Sequence, residues 1–212
     1  MRKLTLILSC FLLVMLAACS SDTKTASSEK SDAKPAAEAP EYITGRAAFQ
    51  KLFISARSFA ADTKPFRLQS GYVPDAPSAE GKAGIWRGYF ASPSKRESKA
   101  YTWSGVSGEN MPDRGVSHGT EDTWNPSNSS AQVWELPYLK IDTDKAYEVA
   151  QKHGGDKLTA KKDAKQPVTF ILDWDQHESK LIWHVIYGTG MTDAKLRIAV
   201  DASSGEFIRN EH

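Results

Sequence analysis

Between Val168 and Asp201, apolar side chains fall on every second position in three successive runs. Val168, Phe170, Leu172 and Trp174 alternate with Thr169, Ile171 and Asp173. Leu181, Trp183, Val185 and Tyr187 alternate with Ile182, His184 and Ile186. Leu196, Ile198 and Val200 alternate with Arg197, Ala199 and Asp201. A period of two puts one set of side chains on one face of a strand. Asp175 to Ser179 and Gly188 to Asp193 carry the turn formers between the runs. Strands with one strongly apolar face predict an antiparallel sheet covered on one side. The cover is a helix upstream. Ala146, Val149, Ala150 and His153 recur at helical spacing behind an N-cap at Asp142 or Thr143, and Gly154-Gly155 stops them.

The same order is readable once more, earlier in the chain. Ile85-Trp86 and Ser107-Gly108-Glu109 recur as Ile182-Trp183 and Ser204-Gly205-Glu206, both displaced by 97 residues. Ile43 with Ala48-Phe49 recurs as Ile141 with Ala146-Tyr147. A common order at near-common spacing predicts a tandem duplication. Phe49, Leu52, Phe53, Ala56 and Phe59 then mark a first helix from about Thr44, its N-cap, to Ala61. Phe66–Val73, Gly84–Ala91 and Lys99–Ser104 are the strands of the first unit. Residues 105–130, rich in Gly, Ser, Asn, Asp and Pro, read as a surface loop joining the units, and Val133, Trp134 and Leu136 as one short strand. The predicted fold class is α+β: two tandem units, each one helix packed on its own small antiparallel sheet. The first spans residues 42–130 and the second 131–212.

Composition narrows the function. The 212 residues carry 27 Lys and Arg against 26 Asp and Glu, without the basic stripe that nucleic acid requires. Eight Phe, seven Tyr and six Trp supply enough apolar area for a core. No H-x-x-x-H pair, G-x-S-x-G elbow or phosphate loop is present. His177 and His184, with Asp173, Asp175 and Glu178, read as a charged hairpin tip rather than a metal site. No catalytic residue, cofactor or metal is expected. Trp124, Trp134 and Tyr138, in the region joining the units, are the candidate ligand platform.

The start of the chain is a leader. Arg2 and Lys3 precede an apolar run, Leu4–Leu16, too short to span a bilayer. Leu16-Ala17-Ala18-Cys19 resembles the lipobox of bacterial lipoproteins. The resemblance implies a signal peptide over 1–18, cleavage before Cys19, and a diacylglycerol on its thiol. Ser20 in place of an Asp resembles an outer-membrane sorting signal. With Cys10 in the leader and Cys19 acylated, as the resemblance implies, the mature chain is expected to hold no free thiol. Residues 20–41 contain no large aliphatic residue and read as a flexible tether, roughly 25 Å in r.m.s. span.

The second unit resembles the PepSY family. The residues that carry this are Ile141-Asp142, Ala146 and Ala150, then Ile182-Trp183-x-Val185, then Leu196-x-Ile198-x-Val200-Asp201-Ala202-x-x-Gly205-Glu206. They cover about residues 138–210. In the first unit Trp103-Ser104-Gly105-Val106 stands where the Val-Asp-Ala turn is expected. The resemblance implies a helix on a small sheet, related to cystatin-like shapes, and peptide or protein binding, including peptidase inhibition, without catalysis. The expected protein is a membrane-anchored envelope lipoprotein facing the periplasm, which binds a secreted peptidase or another envelope protein. A structural scaffold without a dedicated ligand is the alternative, and an unrecognised hydrolase the third reading.

Overall fold

The computed structural model describes residues 39–74, 78–160 and 166–211. The expected leader, lipidated Cys19 and most of the tether lie outside the described residues. From Ile43 onward the elements are β1 (Ile43–Thr44), α1 (Gly45–Ala56), β2 (Lys64–Ser70), β3 (Lys82–Ala83), β4 (Ile85–Ser92), β5 (Glu97–Ser104) and β6 (Gly115–Thr123). They continue with α2 (Thr143–Ala150), α3 (Asp156–Thr159), β7 (Val168–Asp175), β8 (Lys180–Tyr187), β9 (Leu196–Asp201) and β10 (Phe207–Glu211). Short β1 and β3 pair with each other. The remaining eight strands form one antiparallel sheet in the order β10-β9-β8-β7-β2-β4-β5-β6.

This corrects the expectation of two units, each with a small sheet of its own. The strands that would have ended two separate sheets, β2 and β7, pair across the middle, with Arg67 opposite Asp173, Leu68 opposite Leu172 and Gln69 opposite Ile171. Pairing them removes two unsatisfied backbone edges from the molecule. Alternation reports which face of a strand is buried. It does not report what lies beside the strand, so the join was invisible to it.

Three local expectations also change. Residues 105–130 are not all loop, because they contain the nine-residue strand β6. That strand is partly or fully exposed along its length, so its hydrophobicity does not alternate. Val133–Leu136 is not a strand; single 3-10 turns at Ser129–Ala131 and Leu136–Tyr138 flank it. Gly154-Gly155 bends the second helix rather than ending it. Gly154 takes φ 110°, and the chain resumes helical geometry through α3.

One face of the sheet carries the main core. Leu68, Trp86, Phe90, Phe170, Leu172, Trp183, Val185 and Val200 are buried there, under Ala48, Leu52 and Ala56 of α1 and Ala146 and Ala150 of α2. The indoles of Trp86 and Trp183 meet edge to face at 6.5 Å. Each donates its Nε1–H to the backbone just ahead of a helix: Trp86 to the Ile43 carbonyl at 3.0 Å, Trp183 to the Ile141 carbonyl at 2.9 Å. Each thus fixes where its helix starts above the sheet.

The two helices begin side by side and share one carboxylate. Asp142 Oδ1 accepts from the Thr143 N–H of α2 at 2.7 Å and from the Arg46 N–H of α1 at 2.9 Å. Its Oδ2 accepts from the Thr44 hydroxyl at 2.7 Å. Thr44 occupies the N-cap position of α1 but does not cap it with its own side chain. The Thr143 hydroxyl accepts the Gly45 N–H at 2.8 Å, which adds a second link between the helix starts. Asp142 therefore satisfies orphan donors of both helices. No helix among the described residues is long and apolar enough to cross a membrane.

Candidate strand-addition site

The two margins of the sheet are unlike. β10 is a short edge of five residues, and its charges are locked inward. Arg209 pairs with Asp175 at 2.8 Å, Glu178 at 3.2 Å and Glu211 at 3.2 Å. Glu211 in turn accepts from His184 Nδ1 at 2.8 Å, while Asp173 takes His184 Nε2 at 3.0 Å. An imidazole that donates from both nitrogens is an imidazolium. Burial would lower its pKa, but the hydrogen bonds and charges of Asp173 and Glu211 outweigh burial and raise it to about 9. Burial pushes the two carboxyls up, and the His184 hydrogen bond and charge pull them below the usual carboxylate range, with Arg67 helping at Asp173 and Arg209 at Glu211. With both ring nitrogens engaged, His184 holds strands together and has no nitrogen left for acid–base work.

β6 is the other margin, and it is nine residues long. It holds to β5 through seven residue pairs, with a register shift between Lys99 and Tyr101 that sets Gly119 and Thr120 opposite the single Ala100. Lys99 and Glu121 join the two strands at 3.4 Å. No strand lies beyond it among the described residues. Inward of this edge, on the face away from the helices, lies a polar groove of about 410 Å³. Arg87 and Tyr89 of β4 wall it on one side and Thr120 to Asp122 of β6 on the other, and Ala100 and Gly119 leave its floor low. Alternation places Arg87 and Tyr89 opposite the buried Trp86 and Phe90. A free row of backbone donors and acceptors beside a groove for side chains is the geometry by which a sheet takes up an extended peptide.

The three residues expected to form a ligand platform are not brought together. Trp134 is buried in the main core, its ring 5.3 Å from that of Phe49. Trp124 is buried in a smaller cluster with Ala91 and Ala131, against Phe66 and Val133, and donates its Nε1–H to the Ala131 carbonyl at 2.9 Å. Tyr138 is exposed and meets Trp174 edge-on at 5.1 Å. The segment from Trp124 to Trp134 runs from one face of the sheet to the other, so each indole anchors it on a different side. His177 and His184 are likewise separate in role: His184 sits in the buried ionic cluster, while His177 only donates its backbone N–H to Asp175 Oδ1, which caps the turn. No group of three or more His, Cys, Asp or Glu able to hold a metal occurs among the described residues. Sequence reasoning missed β6 and its groove. The only available signal was the Gly–Thr–Glu–Asp–Thr run itself, which has the composition of a loop.

No family model matches the chain, and no curated protein matches it. The resemblance of residues 138–210 to the PepSY family thus rests on its motif residues alone. Among solved structures, the chain is similar to one described as a "putative lipoprotein" from Clostridium difficile 630. The identity is 11%, over 84% of this chain and 95% of that one, at a TM-score of 0.49.

Proposed function

We propose that this protein is a lipid-anchored envelope protein that binds an extended peptide segment as an added strand on β6. The observation that carries the binding reading is the contrast of margins: β10 is short and locked by ion pairs, whereas β6 is nine residues long, exposed and bordered by a groove. Natural sheets blunt their edges with charge, shortness or cover, and β6 has neither of the last two. The anchoring half of the reading rests on Leu16-Ala17-Ala18-Cys19 behind its basic and apolar leader. Two or more acyl chains on Cys19 would hold the protein at a membrane without help from the fold. The engagement of His184 by two carboxylates supports a binder over a catalyst. Inhibition of a secreted peptidase is the form of binding that the PepSY motif residues imply.

The test is a peptide-display selection against the chain, followed by hydrogen exchange. Selected peptides are expected to slow exchange in residues 115–123. They are also expected to lose binding in Gly119→Pro or Thr120→Pro, whichever removes an outward N–H, with circular dichroism unchanged. Protection confined to another segment would refute the site. Mass spectrometry of the membrane-extracted protein checks the anchor separately: a diacylglyceryl adduct on an N-terminal Cys19 is expected, and Cys19→Ser should release the protein from membranes.

A further inference from the structure

The outward face of α1 has a use that strand addition does not explain. Gly45, Ala48, Phe49, Leu52 and Ala56 face the core. On a helical projection Ile54 falls directly opposite them, and it is 74% exposed, the largest exposure of any bulky apolar residue described. Arg46, Gln50 and Arg57 flank Ile54 on one side and Lys51 on the other. From Gly45 to Arg57 the chain has three cations and no acid. Beside the helix lies an apolar groove of about 370 Å³, floored by Phe49 and Phe53 and walled by Ile54, Leu136 and Leu139. Leu136 on its far side is exposed as well. Arg46 ties the two banks together by donating from Nη1 to the Lys140 carbonyl at 3.0 Å. The one acid on that bank, Glu135, is paired with Lys64 at 2.6 Å.

We infer that this face docks on an anionic lipid surface. Aliphatic side chains flanked by three cations suit the boundary between acyl chains and anionic headgroups, and Asp62, beside Phe53 and Leu136, is turned onto the Ser92 hydroxyl and the Ser94 N–H. The chain N-terminal to Ala39 gives the occupant its opportunity. With Cys19 lipidated, only about 20 residues of sequence separate the anchored residue from Ala39, so docking is intramolecular and its effective concentration is on the order of 1 mM. Weak docking is then enough to lay the helix side of the protein on the membrane and turn the other face of the sheet toward the periplasm. The proposal draws on the anchor reading for its setting only.

The experiment uses the chain from residue 19 with Cys19→Ser, so that no acyl chain contributes. It is centrifuged with vesicles of phosphatidylglycerol and phosphatidylcholine, or of phosphatidylcholine alone. Binding to the anionic vesicles is expected, weakening as salt is raised. Lys51→Gln should lower partitioning about fivefold. Ile54→Asp, at an exposed site that leaves the core intact, should lower it about tenfold. Ser127→Asp, in the exposed turn after Trp124, should change nothing. Failure to bind anionic vesicles, or equal binding by Ile54→Asp, overturns the proposal. So does a wild-type dimer in light scattering that Ile54→Asp dissolves, because the face then belongs to a second copy. A missing adduct on Cys19 would instead strike the anchor reading and leave this result standing.

Discussion

Single side chains in this protein do the work of two. The Asp142 carboxylate accepts from donors at the start of both helices, so its loss is felt twice. Asp142→Ala should cost roughly 2–3 kcal/mol in urea unfolding, about twice an ordinary cap. Asp142→Asn should keep most of that, since an amide oxygen still accepts, and a cost below ~0.5 kcal/mol for the alanine would refute the shared cap. His184 is the second case. Its pKa is about 9 in the fold against about 6.5 when unfolded. A raised pKa gives stability that is complete below the unfolded value and lost as pH climbs through the folded one. The wild type should therefore lose on the order of 3 kcal/mol relative to His184→Gln between about pH 6.5 and 9.5. Asp173 and Glu211, held below their usual range, act in the opposite direction, and their contribution fades only in acid. Parallel denaturation curves of the two proteins across that range would refute the assignment. The sequence disclosed neither effect. It offered Asp142 as one helix cap and His184 as part of a solvated hairpin tip, because both acquire their roles from residues 11 to 98 positions away.

At the scale of elements, legibility followed burial. The runs at Val168–Asp175, Lys180–Tyr187 and Leu196–Asp201 are strands close to where their alternation put them. Each has one face in the core, and a period of two is the imprint of that. β6 left no such imprint, since solvent meets its whole length and constrains composition little. The second helix was legible in its first two turns and misread at its end. Gly154-Gly155 has the composition of a stop, yet the fold uses Gly155 for contact. A Cβ there would lie 1.7 Å from the Tyr187 hydroxyl oxygen and 2.9 Å from the Ala150 carbonyl. Gly155→Ala should therefore push the α2–α3 turn off β8, at about 1–3 kcal/mol. It should also break the 2.9 Å hydrogen bond from Gln151 Nε2 to Tyr187. A melting temperature within a degree of wild type would show that the turn has slack.

For the whole molecule, the decisive contact is the seam between β2 and β7. It has three paired positions, against eight in β4–β5 and eight in β7–β8. Three rungs alone would make a weak joint. The seam is reinforced on both faces, by Trp86 against Trp183 and Phe170 on one and by the 2.9 Å Arg67–Asp173 pair on the other. Because one core spans the seam, unfolding should be a single cooperative transition. Native-state hydrogen exchange should then give β4 and β8 similar opening free energies. A half that opens several kcal/mol more easily would mean that the seam does not couple the two. The repeated motifs predicted two tandem units with separate sheets, and the single sheet corrects that, since nothing in a repeat says whether its copies merge.

The unequal margins of that sheet also set how far copies of the protein can associate. Open-ended stacking needs a head that fits a different tail, here β6 of one copy against β10 of the next. The tail strand is only five residues long, with a register shift between Phe207 and Arg209 against β9, while the head is nine. β6 against β6 therefore pairs more backbone than head against tail, and this isologous contact uses up both long margins and closes at two.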